Sequence, residues 1–201
     1  LFIIRGLQQK KKINAKLEAQ KQIVEGKNIE ITDSINYAKR IQKAVLQAEE
    51  RDLKNFPNHF ILFKPKDIVS GDFYWTEPLQ DNKILFACAD CTGHGVPGAM
   101  VSVVCANALN SCINEYNLVQ PGEILDKTTD IVLDAFRKGD ETIKDGMDIS
   151  LCAFNERTNE CLFAGANNSL VISSLNELDR EYPRNTSKTI QGEQGYLHEF
   201  K

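Results

Sequence analysis

The sequence lacks the marks of two common chain classes. With 42% hydrophobic and 26% charged residues over 201 positions, it does not have the composition of a disordered chain, nor that of a disulfide-stapled one. Its six cysteines (Cys88, Cys91, Cys105, Cys112, Cys152 and Cys161) sit inside apolar segments, where Cys behaves as a small buried hydrophobe. The expectation is a reducing cytoplasm without disulfides. A basic excess is also missing: the net charge is −4, with residues 1–50 at +4 and the other 151 at −8. So acidic a body excludes nucleic acid as a partner. The opening run Leu1-Phe2-Ile3-Ile4 is too short to span a bilayer, and no signal peptide is read. Yet Arg5, Lys10, Lys11, Lys12, Lys16 and Lys21 after it are what the cytoplasmic exit of a transmembrane anchor looks like. A frayed helix start with a solvated basic face fits equally. Because the sequence opens on Leu1 rather than Met, it reads as a piece of a longer or processed protein, placed in the cytoplasm or at the cytoplasmic face of the membrane.

Proline is absent from Ile13 to Ala48, which holds one glycine, Gly26, among good helix formers. Leu17, Val24, Ile31, Ala38 and Val45 repeat every seven residues, predicting a parallel coiled coil and a homodimer through this helix, with a weak middle at Gly26 and Lys27. Thr32 or Asp33 offers a cap for a second helix, Ser34 to Ala48, whose apolar side would hold Ile35, Ala38, Ile41 and Val45. A single amphipathic helix packed on its own domain is the alternative. Residues 1–50 are thus a helical linker, and 51–201 the globular part.

Past Phe56-Pro57 the period changes. Phe60–Phe63, Phe73–Trp75 and Lys83–Ala89 read as strands, the last an apolar run buried on both faces. Val96-Pro97 opens a helix to about Tyr116, with Met100, Val104, Ala108 and Cys112 stepping by four. Pro121-Gly122 opens another, to about Lys138, carrying Ile124, Ile131, Leu133 and Phe136. Met147–Phe154, Glu160–Ala164 and Leu170–Leu175 read as antiparallel strands, and the tail from Asn176 is polar and weakly patterned. The expected class is α+β, with helices outside antiparallel sheets.

Three acidic insertions interrupt these apolar elements: Ser70-Gly71-Asp72, Asp90 at the end of the strongest strand, and Asp145-Gly146-Met147-Asp148. Burying a lone carboxylate is costly, so such acids stay wet or share cations. All-oxygen donors favour Mg²⁺ or Mn²⁺ over zinc, and two such ions about 4 Å apart are a common device for hydrolysing phosphate esters. Asp90 suits a bridging ligand and Asp72 a ligand of one ion. Gly93 and Gly95 allow close backbone approach before a helix N-terminus that favours an anion. Each Asp taken singly also fits a turn or cap. Cys88-Ala-Asp-Cys91 with His94 has zinc-like spacing, but no second ligand pair matches it, and the Gly-rich loop lacks the Lys-Ser/Thr end of a P-loop.

Taken together, Ser70-Gly71-Asp72-Phe73-Tyr74, the run Ala89-Asp90-Cys91-Thr92-Gly93-His94-Gly95-Val96-Pro97-Gly98-Ala99-Met100, Asp145-Gly146-Met147-Asp148 and Ala164-Gly165-Ala166-Asn167-Asn168 resemble the SpoIIE-type branch of the PPM phosphatases, similar in fold to protein phosphatase 2C. Ser34–Gln42 resembles the helix before that domain in multidomain signalling proteins. The resemblance implies a β-sandwich flanked by helices, a binuclear Mn²⁺/Mg²⁺ centre, and hydrolysis of phosphoserine or phosphothreonine by metal-activated water in a bacterial signalling protein. The implied substrate is a phosphorylated regulator of STAS type, an anti-sigma antagonist. By motif match Asp72 and Asp90 are metal ligands and Cys91 lends its backbone carbonyl, while His94, Asp145 and Asp148 match without an assigned role. The family's two later aspartates have no counterpart after Leu175, so the sequence is expected to stop before the domain closes. That leaves a catalytically incomplete signalling or dimerisation module as the alternative.

Overall fold

The computed structural model describes residues 2–46, 59–137, 145–174, 177–182, 187–191 and 194–198. Two compact units divide it, Leu1–Arg40 and Ile41–Lys201. The expected boundary near residue 50, with Phe56-Pro57, lies outside the described residues, as do the expected ends at Ala48, Lys138 and Leu175.

Helix α1 runs unbroken from Phe2 to Leu46. The expected break at Thr32 and Asp33 does not occur. Ser34 Oγ donates back to the Glu30 carbonyl at 2.9 Å, which a serine does within a helix and not at its start. Ion pairs Lys21–Glu25 and Lys27–Glu30 lie along the exposed surface and add little. Leu17, Val24 and Ile31 of the heptad are exposed.

The second unit is α+β. Strands β1 (Phe73–Leu79), β2 (Lys83–Cys91), β3 (Met147–Asn155) and β4 (Glu160–Ala166) form an antiparallel sheet that continues through β7 (Ser187–Gln191) and β8 (Gln194–His198), in the order β1-β2-β3-β4-β7-β8. β5 (Leu170–Ser174) and β6 (Glu177–Tyr182) pair in a separate two-stranded sheet. Between β1 and β2, Asp81 and Asn82 take left-handed φ of 60° and 55°, which these residue types tolerate. Between β3 and β4, Asn155 Oδ1 accepts from the N–H groups of Arg157 and Thr158.

Helices α2 (Gly95–Asn114) and α3 (Pro121–Arg137) flank this sheet. Phe73, Trp75, Leu85, Ala87, Ile149 and Leu151 form the sheet side of a core whose helix side includes Val101, Cys105, Leu109, Cys112, Ile124 and Val132. Trp75 Nε1 donates to Asn110 Oδ1 at 2.7 Å, and Cys112 Sγ sits 3.3 Å from Thr128 Oγ1, tying β1 to α2 and α2 to α3. Among the described helices α2 is long and apolar enough to cross a membrane, yet its buried side belongs to this core.

Several expectations are corrected. Phe60–Phe63 forms no strand; Phe60 and Leu62 are about nine-tenths exposed, and the segment lines a cavity of about 640 Å³ against Tyr74, Phe86 and Cys88. Strand β2 is not buried on both faces: Leu85, Ala87, Ala89 and Cys91 are buried, whereas Cys88 and Asp90 are exposed, as an antiparallel sheet permits. On α2 the stepping by four holds for only half of the expected row. Four residues advance about 40° beyond a full turn, so the row drifts across the helix: Met100 is exposed and Val104 half-buried, Ala108 and Cys112 are buried, and Val101, Cys105 and Leu109 complete the buried face. On α3 Pro121, Ile124, Thr128 and Val132 are buried, Ile131 and Phe136 pack half-buried against the core, and Leu133 turns outward. The tail contributes three short strands, β6 to β8. Near the end of α1, Ile41 is exposed and Gln42 and Leu46 are buried.

Candidate metal centre

Pairing across the sheet settles which acids meet. Asp90 near the end of β2 stands directly opposite Asp148 near the start of β3, so both carboxylates leave the same face at the same end. Asp72, one residue before β1, comes close enough to Asp90 for the two carboxyl groups to interact directly and share a proton. Asn167, just past β4, donates from Nδ2 to Asp148 Oδ1 at 2.9 Å. Asp72, Asp90, Asp148 and Asn167 therefore form one polar row across the ends of four strands. Directly opposed like charges destabilise a sheet, and this row has the charge of three carboxylates. The Asp90 carboxyl is pushed above its ordinary value, chiefly by its hydrogen bond with Asp72, then by desolvation and the charges of Asp72 and Asp148.

A glycine cluster brings the segments this close. A Cβ on Gly71 would lie 2.8 Å from the Gly93 carbonyl oxygen and 3.1 Å from that of Cys91, and one on Gly98 would collide with the Gly93 carbonyl. Gly93 and Gly95 also take left-handed φ of 89° and 62° on entry to α2. Thr92 fixes the other side of the turn: its N–H donates to the Gly146 carbonyl at 3.0 Å, and its Oγ1 accepts from the Gly146 N–H at 3.2 Å.

The remaining expected residues fall around this row. The Cys91 side chain is buried against Cys105 and points into the core, which leaves its backbone carbonyl beside Gly71 on the site side. His94 caps α2 by position without a side-chain bond, is largely exposed, and has Asp67 Oδ2 3.8 Å from its Nδ1. Asp145 stands apart from the row: it lines a cavity of about 170 Å³ with Thr128, Val132 and Met147, on the α3 side of the sheet. Sequence reasoning assigned no role to Asn167, Asp67 or Gln42. The signal for Gln42 is its spacing, seven residues after Ile35 and four after Ala38, at a position that an apolar helix face would fill.

Among the described residues no group of three or more His, Cys, Asp or Glu is gathered tightly enough to hold an ion as it stands. The donor chemistry nevertheless fits a hard divalent cation: carboxylates with no Lys or Arg ion-paired to them among the described residues, and a carbonyl kept clear by a glycine.

The model of the family of stage II sporulation protein E (SpoIIE) matches residues 80–190, from the turn before β2 into β7. Among solved structures, the chain is similar to the SiaA-PP2C domain of Pseudomonas aeruginosa, at 29% identity and a TM-score of 0.62, over 81% of this chain and 71% of that one. It is more distantly similar to the RsbU and RsbW domains of a Mycobacterium tuberculosis protein, at 18% identity and TM-score 0.41, over 62% of this chain and 38% of that one. A third likeness is to the PP2C phosphatase domain with a fragment of the regulatory domain of the cell fate determinant SpoIIE from Bacillus subtilis, at 16% identity and TM-score 0.44, over 62% and 39% of the two chains. No curated protein matches the chain.

Proposed function

The chain belongs to the SpoIIE family, and on that premise we propose that it is a metal-dependent protein serine/threonine phosphatase serving a signalling protein. The observation that carries this reading is the row of Asp72, Asp90 and Asp148 at one end of the sheet, beside the glycine turn that starts α2. Asp72, Asp90 and the Cys91 carbonyl would hold Mn²⁺ or Mg²⁺, with Asp148 oriented by Asn167. When bound, such ions lower the pKa of water and offset charge on phosphoryl oxygens. The chain's own part is to fix those oxygens in place and to present the N-terminus of α2, where free N–H groups favour an anion. Phosphoserine or phosphothreonine on a regulatory protein of STAS type is the substrate the family resemblance suggests. Leu17, Val24 and Ile31, exposed at a spacing of seven on α1, support a homodimer formed through that helix. Six cysteines kept as free thiols, five of them buried or half-buried, suit a reducing setting in the cytoplasm or at the cytoplasmic face of the membrane.

A second reading, a module that binds partners without turnover, is favoured by the lack of a tight group of acids among the described residues. One assay separates the two: Mn²⁺-dependent hydrolysis of p-nitrophenyl phosphate by the protein and by Asp90→Asn. The phosphatase reading expects turnover that needs Mn²⁺ and vanishes in the variant. Turnover absent from both, with Mn²⁺ binding also absent, supports the second.

A further inference from the structure

Gln42 is the one polar residue of α1 buried within the second unit, at 8% exposure, with its exposed neighbour Ile41 on one side. Burying an amide is costly unless its hydrogen bonds are made, and here two of the three go to one residue. Nε2 donates to the Ser70 carbonyl at 2.6 Å, and Oε1 accepts from the Ser70 N–H at 3.3 Å. The side chain thus binds both backbone groups of Ser70, as a neighbouring strand would. The second Nε2 hydrogen goes to Ser102 Oγ of α2 at 2.9 Å, and Ser102 Oγ in turn donates to the Ala99 carbonyl at 2.8 Å.

Ser70 leads directly to the acid row. Its Oγ accepts from the Asp72 N–H at 3.1 Å, and Gly71 between them is pressed against the Cys91 and Gly93 carbonyls. Segment 70–72 is therefore held from two sides, by Gln42 on one and by the Cys91–Gly93 turn on the other. We infer that Gln42 is a positioning residue for the metal centre, holding Asp72 in reach of Asp90 through the backbone of Ser70. It touches neither ion nor substrate. The inference rests on Asp72 and Asp90 being metal ligands, as proposed above.

Residues that orient a metal ligand typically change metal affinity by about 10–100-fold when removed, because the ligand must then be ordered at the expense of binding. Gln42→Met keeps length and volume and deletes the three hydrogen bonds. The expected result is an Mn²⁺ dissociation constant raised about tenfold, with KM for p-nitrophenyl phosphate unchanged and kcat recovering as Mn²⁺ is raised to saturation. A merely structural role would lower the melting temperature without that metal-dependent recovery. Ile41→Ala, on the exposed side of the same turn, should leave the Mn²⁺ affinity as it is. Gln42→Glu keeps the length and an acceptor for the Ser70 N–H but leaves the Ser70 carbonyl without its donor at neutral pH. It should raise the constant likewise, and it serves where Gln42→Met folds poorly.

Calorimetric Mn²⁺ titration of the protein, Asp90→Asn and the Gln42 variants distinguishes the two levels of the argument. Loss of binding in Asp90→Asn with unchanged affinity in folded Gln42→Met overturns the positioning role alone. Absence of Mn²⁺ binding by the unaltered protein overturns the metal reading, and the role of Gln42 with it.

Discussion

Gly71→Ala tests the packing that brings the acids together. The glycine's backbone lies outside the left-handed region, so alanine meets no conformational penalty and the effect comes from space alone. The added Cβ would stand 2.8 Å from the Gly93 carbonyl oxygen and 3.1 Å from that of Cys91, with Gly98 Cα at 3.6 Å. Ordinary contact begins near 3.4 Å, so the nearer carbonyl must retreat by about 0.6 Å. All three neighbours are backbone, and none can swing aside as a side chain would. Overpacking of this kind costs about 1–3 kcal/mol, or roughly 2–12 °C in melting temperature for a domain of this size. One of the displaced atoms, the Cys91 carbonyl oxygen, is proposed to hold the ion, and Asp72 directly follows the substituted residue, so Mn²⁺ affinity should fall together with stability. Thermal melts with and without Mn²⁺, alongside a calorimetric titration, read both. A Gly71→Ala protein with unchanged melting temperature and unchanged Mn²⁺ affinity would refute the claim that these glycines set the site.

Asp90→Asn should also alter the pH dependence of stability in the absence of metal. Because the Asp90 carboxyl is raised above its ordinary 3.8 in the fold, the folded state retains a proton that the unfolded chain has lost, and stability falls as pH climbs through the raised value. The metal-free variant should therefore melt higher than the unaltered protein at pH 7 and converge with it in acid. The gain is about 1 kcal/mol at most, since Asp90 remains largely in water. A lower melting temperature for metal-free Asp90→Asn at pH 7 would contradict this. For α1, replacing Val24 and Ile31 by Asp should convert a dimer to monomers in sedimentation, and an unaltered protein already monomeric at tens of micromolar, roughly where a modest coiled coil should pair, would remove the dimer proposal.

Much of the second unit is legible in the sequence because its strands and helices alternate in period. β1 to β5 and both flanking helices lie where apolar spacing puts them. Phe60–Phe63 misleads because an apolar run signals a side chain that avoids water, whereas a strand needs backbone partners, and this segment has no strand pairing. β6 to β8 mislead in the opposite sense. Strands such as Glu177–Tyr182 and Ser187–Gln191 carry little apolar alternation, and their pairing is a matter of backbone hydrogen bonds with β5 and β4.

The candidate site was legible at Asp72 and Asp90, where an acid interrupts an apolar strand, but the choice between Asp145 and Asp148 was not. Both belong to the same four-residue motif, and local sequence treats them alike. Alternation makes the difference: with Ala89 opposite Ile149, Asp90 must oppose Asp148, and the two share a face, while Asp145 precedes the strand and falls on the α3 side. That parity depends on the register between β2 and β3, which are separated by both flanking helices, so no window of sequence around the motif contains it. Gln42 was hidden for the same reason. Its value as a buried amide comes from Ser70 and Ser102, 28 and 60 residues away. Without those partners its spacing from Ile35 and Ala38 marks only a place on the apolar face, not what the amide binds there. That the acids interrupt apolar elements is visible in the chain. What orients them is contributed by residues that become informative only once the fold has brought them within hydrogen-bonding distance.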